Sequence, residues 1–198
     1  MSYIGTQPNN VKKNIGLYNP NEILQLTKEG SWGGSLELIQ SQTISSGSTM
    51  AFTSIKESKY DVHFLQAKNC ESSSLNTSIS VRLSNDGGST YEAGTSYELA
   101  MNYGTTGGSF GEVSSTGLGY LEFLSDSQSQ NRGGYMYLYQ LGNSSKYSFS
   151  TFQGQEETTF TYGGGLYDTA ETINAIQVLT TNGNAWTGTV ELYGCKQL

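Results

Sequence analysis

The chain has 198 residues, a formal charge of −7, 35% hydrophobic and only 14% charged residues, the size and balance of one domain with an appended arm. The acidic balance excludes a nucleic-acid footprint, which needs clustered cations to displace phosphate counterions. No run approaches the roughly 20 apolar residues of a membrane-spanning helix, and 14 Tyr with 7 Phe are too many aromatics for a disordered chain.

Residues 1–34 differ from the rest. "MSYIGTQPNNVKKNIG" has no periodicity, and it lacks the basic start, apolar run and cleavage site of a secretion signal, so synthesis in a cytoplasm is expected. "YNPNEILQLTKEG" then carries the convincing helix signal. Asn19 can cap, Pro20 suits the first helical position and Glu22 follows the cap by three residues. Ile23, Leu24 and Leu26 form a short apolar stripe, and Gly30 is a natural stop. Two turns do not hold in isolation. The helix therefore docks, either on a larger assembly or back over its own domain.

From Ser35 the apolar period is two. "LELIQSQTI" (36–44), "MAFTSI" (50–55) and "YDVHFLQA" (60–67) read as strands. "TSISVRLS" (77–84) alternates most cleanly, with Ile79, Val81 and Leu83 on one side and Ser78, Ser80 and Arg82 on the other. "TSYELAM" (95–101) follows, and "NYGTTGGSFGEVSSTG" (102–117), rich in glycine and poor in apolar residues, reads as a long surface loop. "LGYLEFL" (118–124), "GYMYLYQL" (134–141), "KYSFSTF" (146–152), "TTFTY" (158–162), "INAIQVL" (173–179) and "WTGTVELYG" (186–194) bring the series to about eleven strands. Hairpin turns at "SNDGGS", "LGNSSK" and "TNGNA" separate several of them. The expected fold is all-β: an antiparallel β-sandwich or jelly roll over 35–198, with an extended N-terminal arm and one short helix in 1–34.

Motifs for chemistry are missing. His63, the sole histidine, sits mid-strand with no partner motif and reads as structural. No nucleophile elbow, zinc-binding helix or phosphate loop occurs. Glu122, Asp126, Glu156, Glu157, Asp168, Glu171 and Glu191 are scattered, without the signature of a paired-carboxylate glycosidase. "SNDGGSTY" (84–91) offers oxygen ligands but lacks the spaced acids of a calcium loop and reads as a hairpin turn. Cys70 and Cys195 fit no metal motif and are expected as free thiols. No enzymatic activity, cofactor or metal is expected.

Aromatics remain. In "GGYMYLYQLGN" (133–143) a strand would send Met136 and Leu138 to the core and place Tyr135, Tyr137 and Tyr139 together outside. With Trp186, this row is the candidate binding surface. It can meet a neighbouring subunit, be covered by the chain's own loops, or stack on a glycan.

Longer stretches carry a resemblance. "FTSIKESKYDVHFLQAKNCESSSLNTSISVRLSNDGGSTYEAGTSYELA" (52–100) resembles a module of bacteriophage virion proteins, especially fibres and tail appendages. There an F-T-x-I strand precedes a tyrosine-led strand (Tyr60 to Leu65) and a later strand ends in R-x-S-x-D-G-G-S-T-Y (Arg82 to Tyr91). "INAIQVLTTNGNAWTGTVELYGCK" resembles the same module's last hairpin, and "SYIGTQPNN" resembles the arms that attach such proteins to the particle. Together these stretches cover about half of the chain. The resemblance implies a β-sandwich virion structural protein, commonly a homotrimer, without agreed catalytic residues. Tyr3, Ile4, Ile23, Leu24 and Leu26 would then attach it to other virion proteins of capsid or tail. It would assemble in the host cytoplasm and leave by lysis. The chain lacks a coiled-coil shaft, which leaves a short fibre, tail appendage or capsid decoration open. A rival expectation is a receptor module at a virion tip that binds a host surface glycan through exposed Tyr and Trp.

Overall fold

The computed structural model describes residues 20, 21, 24, 25, 36–124 and 132–195, and the chain divides into two units, Met1–Ser35 and Leu36–Leu198. In the first unit Pro20, Asn21, Leu24 and Gln25 are helical, where the Asn-Pro-Asn-Glu signal placed a helix. Leu24 is 52% exposed. The other proposed attachment residues, Tyr3, Ile4, Ile23 and Leu26, lie outside the described residues.

The second unit is all-β. Its strands are β1 (Leu36–Gly47), β2 (Thr49–Phe52), β3 (Val62–Ser72), β4 (Ile79–Ser84), β5 (Tyr97–Thr105), β6 (Phe110–Leu118), β7 (Leu121–Leu124), β8 (Arg132–Tyr139), β9 (Ser148–Gln155), β10 (Thr159–Tyr167), β11 (Ala175–Thr180) and β12 (Trp186–Cys195). They form two antiparallel sheets, ordered β1-β12-β3-β8-β9-β10-β5-β6 and β2-β11-β4-β7.

The hairpins β5–β6 and β9–β10 stand apart from the remaining pattern. Without them, the other eight strands, counted in chain order, pair as 1-8-3-6 and 2-7-4-5. That is the double Greek key of a jelly roll. One hairpin is inserted between β4 and β7, the other between β8 and β11. They meet each other along β10 and β5, from Thr159 opposite Thr105 to Tyr167 opposite Tyr97, and widen one sheet to eight strands.

Alternation within the strands builds the core between the sheets. Ile79, Val81 and Leu83 of β4, Met136 and Leu138 of β8, Leu65 of β3, and Val190 and Leu192 of β12 are fully buried. β7 lies across β8, β9, β10 and β5, bringing Leu121, Phe123 and Leu124 into the same core. Tyr97 fastens the root of the β5–β6 hairpin. Its ring lies 5.0 Å from that of Tyr167, and its hydroxyl accepts from the Leu83 N–H at 3.0 Å.

Two expectations need correction. The stretch 102–117 is not a long loop: β5 runs through Thr105, and after a short turn β6 occupies Phe110–Leu118. The turn is closed by Gly108 N–H to Thr105 O at 2.9 Å, with Gly108 at φ 86°, a conformation that suits glycine. β6 is an edge strand exposed along most of its length, so neither face needs an apolar series. Glycine at 111 also leaves room for the Tyr103 ring, which lies where a side chain would stand. The second correction concerns Trp186, placed by the sequence on the binding surface. It is 1% exposed, because it begins β12 on the inward register and packs beside Gly188 and Cys70.

The "SNDGGSTY" segment is a hydrogen-bonded turn. The Asp86 carboxylate accepts from Ser84 Oγ at 2.7 Å, Thr90 N–H at 2.9 Å and Thr90 Oγ at 2.7 Å. These donors, the Thr90 N–H foremost, hold its pKa down to about 2. The turn's contribution is therefore present above the ordinary carboxyl range and lost as pH falls through about 2. A carbon-detected titration of the Asp86 carboxyl should give a midpoint near that value. A midpoint near 4 would mean that the turn is open in solution.

Candidate interaction face

The outer surface of the eight-stranded sheet follows from register. Opposite one another lie Leu38 (β1) and Tyr193 (β12), Tyr193 and Phe64 (β3), and Phe64 and Tyr137 (β8). Two residues along, Cys195 faces Val62 and Val62 faces Tyr139, which in turn faces Phe149 of β9. On the other side Glu191 faces Gln66 and Gln66 faces Tyr135. A transverse aromatic band results, with Phe64 at its centre.

The rings touch. Phe64 lies 4.9 Å from Tyr137, 5.9 Å from Tyr135 and 5.9 Å from Tyr193, centroid to centroid. Tyr137 is 6.0 Å from Tyr135 and 6.3 Å from Tyr139. These separations are those of favourable aromatic pairs, each contributing about 0.5–1.5 kcal/mol beyond area burial. Tyr135 is 36% exposed and Leu38 51%, whereas Phe64, Tyr137, Tyr139 and Tyr193 are half-buried by one another.

The hydroxyls of the band turn sideways into the sheet. Tyr135 donates to Gln153 Oε1 at 2.7 Å, Tyr193 donates to Glu191 Oε2 at 2.7 Å, and Tyr139 shares a hydrogen with Thr151 Oγ at 3.2 Å. Glu191 also accepts from Lys68 Nζ at 2.7 Å. Those two partners, Lys68 first, lower its pKa. Burial raises the Tyr137 phenol. The band is therefore an apolar plate of ring faces with a neutralised polar border.

The sequence placed Tyr135, Tyr137 and Tyr139 on one face, and the structure brings all three together there. It removes Trp186 from that face and adds Phe64, Tyr193 and Leu38. The alternation of β3 and β12 put Phe64 and Tyr193 on definite sides of their strands. Nothing in the sequence announced that those strands flank β8.

The residues weighed for chemistry are dispersed. His63 is buried between the sheets, 6.1 Å edge-on from the Tyr60 ring, with Nε2–H donating to Ile55 O at 2.8 Å. Burial lowers its pKa, opposed by the Ile55 carbonyl and the charge of Glu57. Glu171 is engaged by Asn85 at 2.6 Å and Tyr167 at 2.6 Å. Glu122 and Glu156 are buried in separate strands or turns, while Glu157 and Asp168 are exposed. Asp126 lies outside the described residues. Among the described residues no three His, Cys, Asp or Glu side chains gather into a metal-binding group. Cys70 and Cys195 are free thiols, and burial pushes the Cys70 thiol up to about 12, far from a reactive thiolate.

No protein-family model matches the chain, and no curated protein matches it.

Proposed function

We propose that the chain is a non-enzymatic structural protein of a bacteriophage virion, anchored through residues 1–34, whose jelly roll self-associates, as a trimer, through the aromatic band. One observation carries the self-association: Phe64, Tyr135, Tyr137, Tyr139 and Tyr193 form a contiguous plate of ring faces. Contiguous apolar surface of this kind marks interaction sites, and tyrosine is enriched in the centres of protein interfaces. Three of its hydroxyls already have partners within the sheet, which favours an apolar protein partner over a sugar that needs a polar rim. The virion assignment is supported by the F-T-x-I, D-G-G-S-T-Y and L-Y-G stretches and by the resemblance they carry.

The experiment is the mass of the full chain by light scattering, across a concentration series, beside Tyr137→Ser. The substitution removes the ring that touches Phe64, Tyr135 and Tyr139. It should weaken association by about 2 kcal/mol per contact, roughly thirty-fold, with a smaller effect on monomer stability. A monomeric wild type, or an oligomer indifferent to the substitution, rules out this use of the face. Antibody labelling of purified particles tests the virion assignment separately, and unlabelled particles would reject it.

A further inference from the structure

Beyond the aromatic band, the same outer surface changes character. Register places Thr151 (β9) opposite Gly164 (β10), Gly164 opposite Ala100 (β5), and Ala100 opposite Ser114 (β6). Four neighbouring strands thus present small side chains in one transverse row. The next row is taller: Phe149 faces Leu166 and Leu166 faces Glu98. A groove of about 640 Å³ results, floored by Gly164, Gly165 and Ala100 and walled by Phe149, Leu166 and Glu98. Its volume lies within the roughly 300–1,000 Å³ of small-molecule sites.

The floor is narrowly specified. A methyl group added at Gly164 would stand 2.9 Å from Ser150 O, and one at Gly165 would stand 2.8 Å from Leu121 Cδ2. Glycine at 164 fits the close approach of β9 on the outer side, where the depression lies, whereas glycine at 165 leaves room for Leu121 of β7 on the core side.

The groove's chemistry differs from that of the tyrosine plate. Phe149 is 43% exposed and offers a ring face at one end. Glu98 is half-buried on the wall, and its carboxylate makes no hydrogen bond or ion pair among the described residues. The Ser114 and Thr116 hydroxyls are likewise unengaged at the outer side. No Lys or Arg lines the groove. An apolar floor, an aromatic end, a carboxylate acceptor and free hydroxyls suit a ligand with a C–H face and several hydroxyl donors. The uncompensated carboxylate repels anions. Negatively charged sugars and phosphate esters are therefore disfavoured, and a neutral saccharide fits.

We propose that this groove between β9, β10, β5 and β6 binds a neutral oligosaccharide, one sugar ring lying on Gly164 and Ala100 against Phe149 and giving hydroxyl hydrogens to Glu98. The groove adjoins the aromatic band at Phe149 and Thr151 but does not rest on self-association through it. Shallow saccharide sites of this kind bind at about millimolar strength, with avidity from multiple copies adding to it.

Saturation-transfer NMR on the full chain tests the site. The probes are neutral gluco-, galacto- and manno-oligosaccharides of three to five sugars, with sialyllactose as the anionic comparator. At least one neutral probe should receive transfer, and sialyllactose should not. Phe149→Ala should weaken the bound probe at least tenfold and Glu98→Gln several-fold. Ser114→Tyr, on the exposed edge strand, should fill the groove and abolish binding in a chain that still folds by circular dichroism. Tyr137→Ser should leave sugar binding in place, and Ser114→Tyr should leave the light-scattering mass unchanged, so that the two proposals fail independently. Silence from every neutral probe, equal binding of sialyllactose, or binding that survives Ser114→Tyr would overturn the assignment.

Discussion

Replacing Trp186 by alanine is expected to destabilise the domain by about 3–5 kcal/mol, a large share of the roughly 5–15 kcal/mol that holds a domain together. The indole is 1% exposed and packs where β12 enters the wide sheet, opposite Ser72 of β3 and Gly47 of β1. Gly188, at φ 155°, leaves room for it: a side chain there would come 3.1 Å from the indole and 2.8 Å from Cys70 Sγ. Truncation opens a cavity that these rigid neighbours cannot close. Urea unfolding of wild type and variant measures the effect. A change below about 1 kcal/mol, the range of exposed substitutions, would return Trp186 to the surface where the sequence alone put it.

The second large effect concerns acid. His63 is buried and neutral, and burial sets its pKa below the usual histidine value. The unfolded chain takes up a proton near pH 6.5, whereas folded His63 resists it. Stability is therefore full above that pH and falls as pH drops through the window between the unfolded and the lowered folded value. The slope approaches about 1.4 kcal/mol per pH unit. The nearby charge of Glu57 and the Ile55 carbonyl soften the shift without reversing it. Glu37 and Asp86, both held at about 2, add their own losses only below the ordinary carboxyl range. Unfolding curves at pH 7, 6 and 5 should show the decline, and His63→Gln should flatten it. Equal stability at pH 7 and pH 5 would mean that the imidazole is reached by solvent.

Local rules made most strands legible because most have one dry face. Ile79, Val81 and Leu83 alternate because the opposite sheet demands it, and Met136 and Leu138 announce β8 in the same way. β6 failed that reading because an edge strand with two wet faces leaves no period to find. Trp186 failed it for the opposite reason: an aromatic residue at a strand start reads equally well as lid or core until its partners are known. The candidate face was half legible. Tyr135, Tyr137 and Tyr139 announced themselves, but Phe64 reaches them only through the pairing of β3 with β8, and Tyr193 joins through Phe64 by the pairing of β3 with β12 across more than a hundred residues. The groove was not legible at all. It depends on Thr151, Gly164, Ala100 and Ser114 falling into one row through three separate registers.

The jelly roll is complete without the two inserted hairpins, but the hairpins are not complete without it. β9 bonds to β8, β10 to β9, β5 to β10, and β6 to β5 alone. This dependence runs outward in one direction and ends at β6, which is exposed along most of its length, so that edge strand can vary in sequence without unsettling the strands that carry it. A surface built this way separates two demands that usually compete. On the two proposals, the inner half would serve assembly, and the exposed edge strand would be the part open to a changing target.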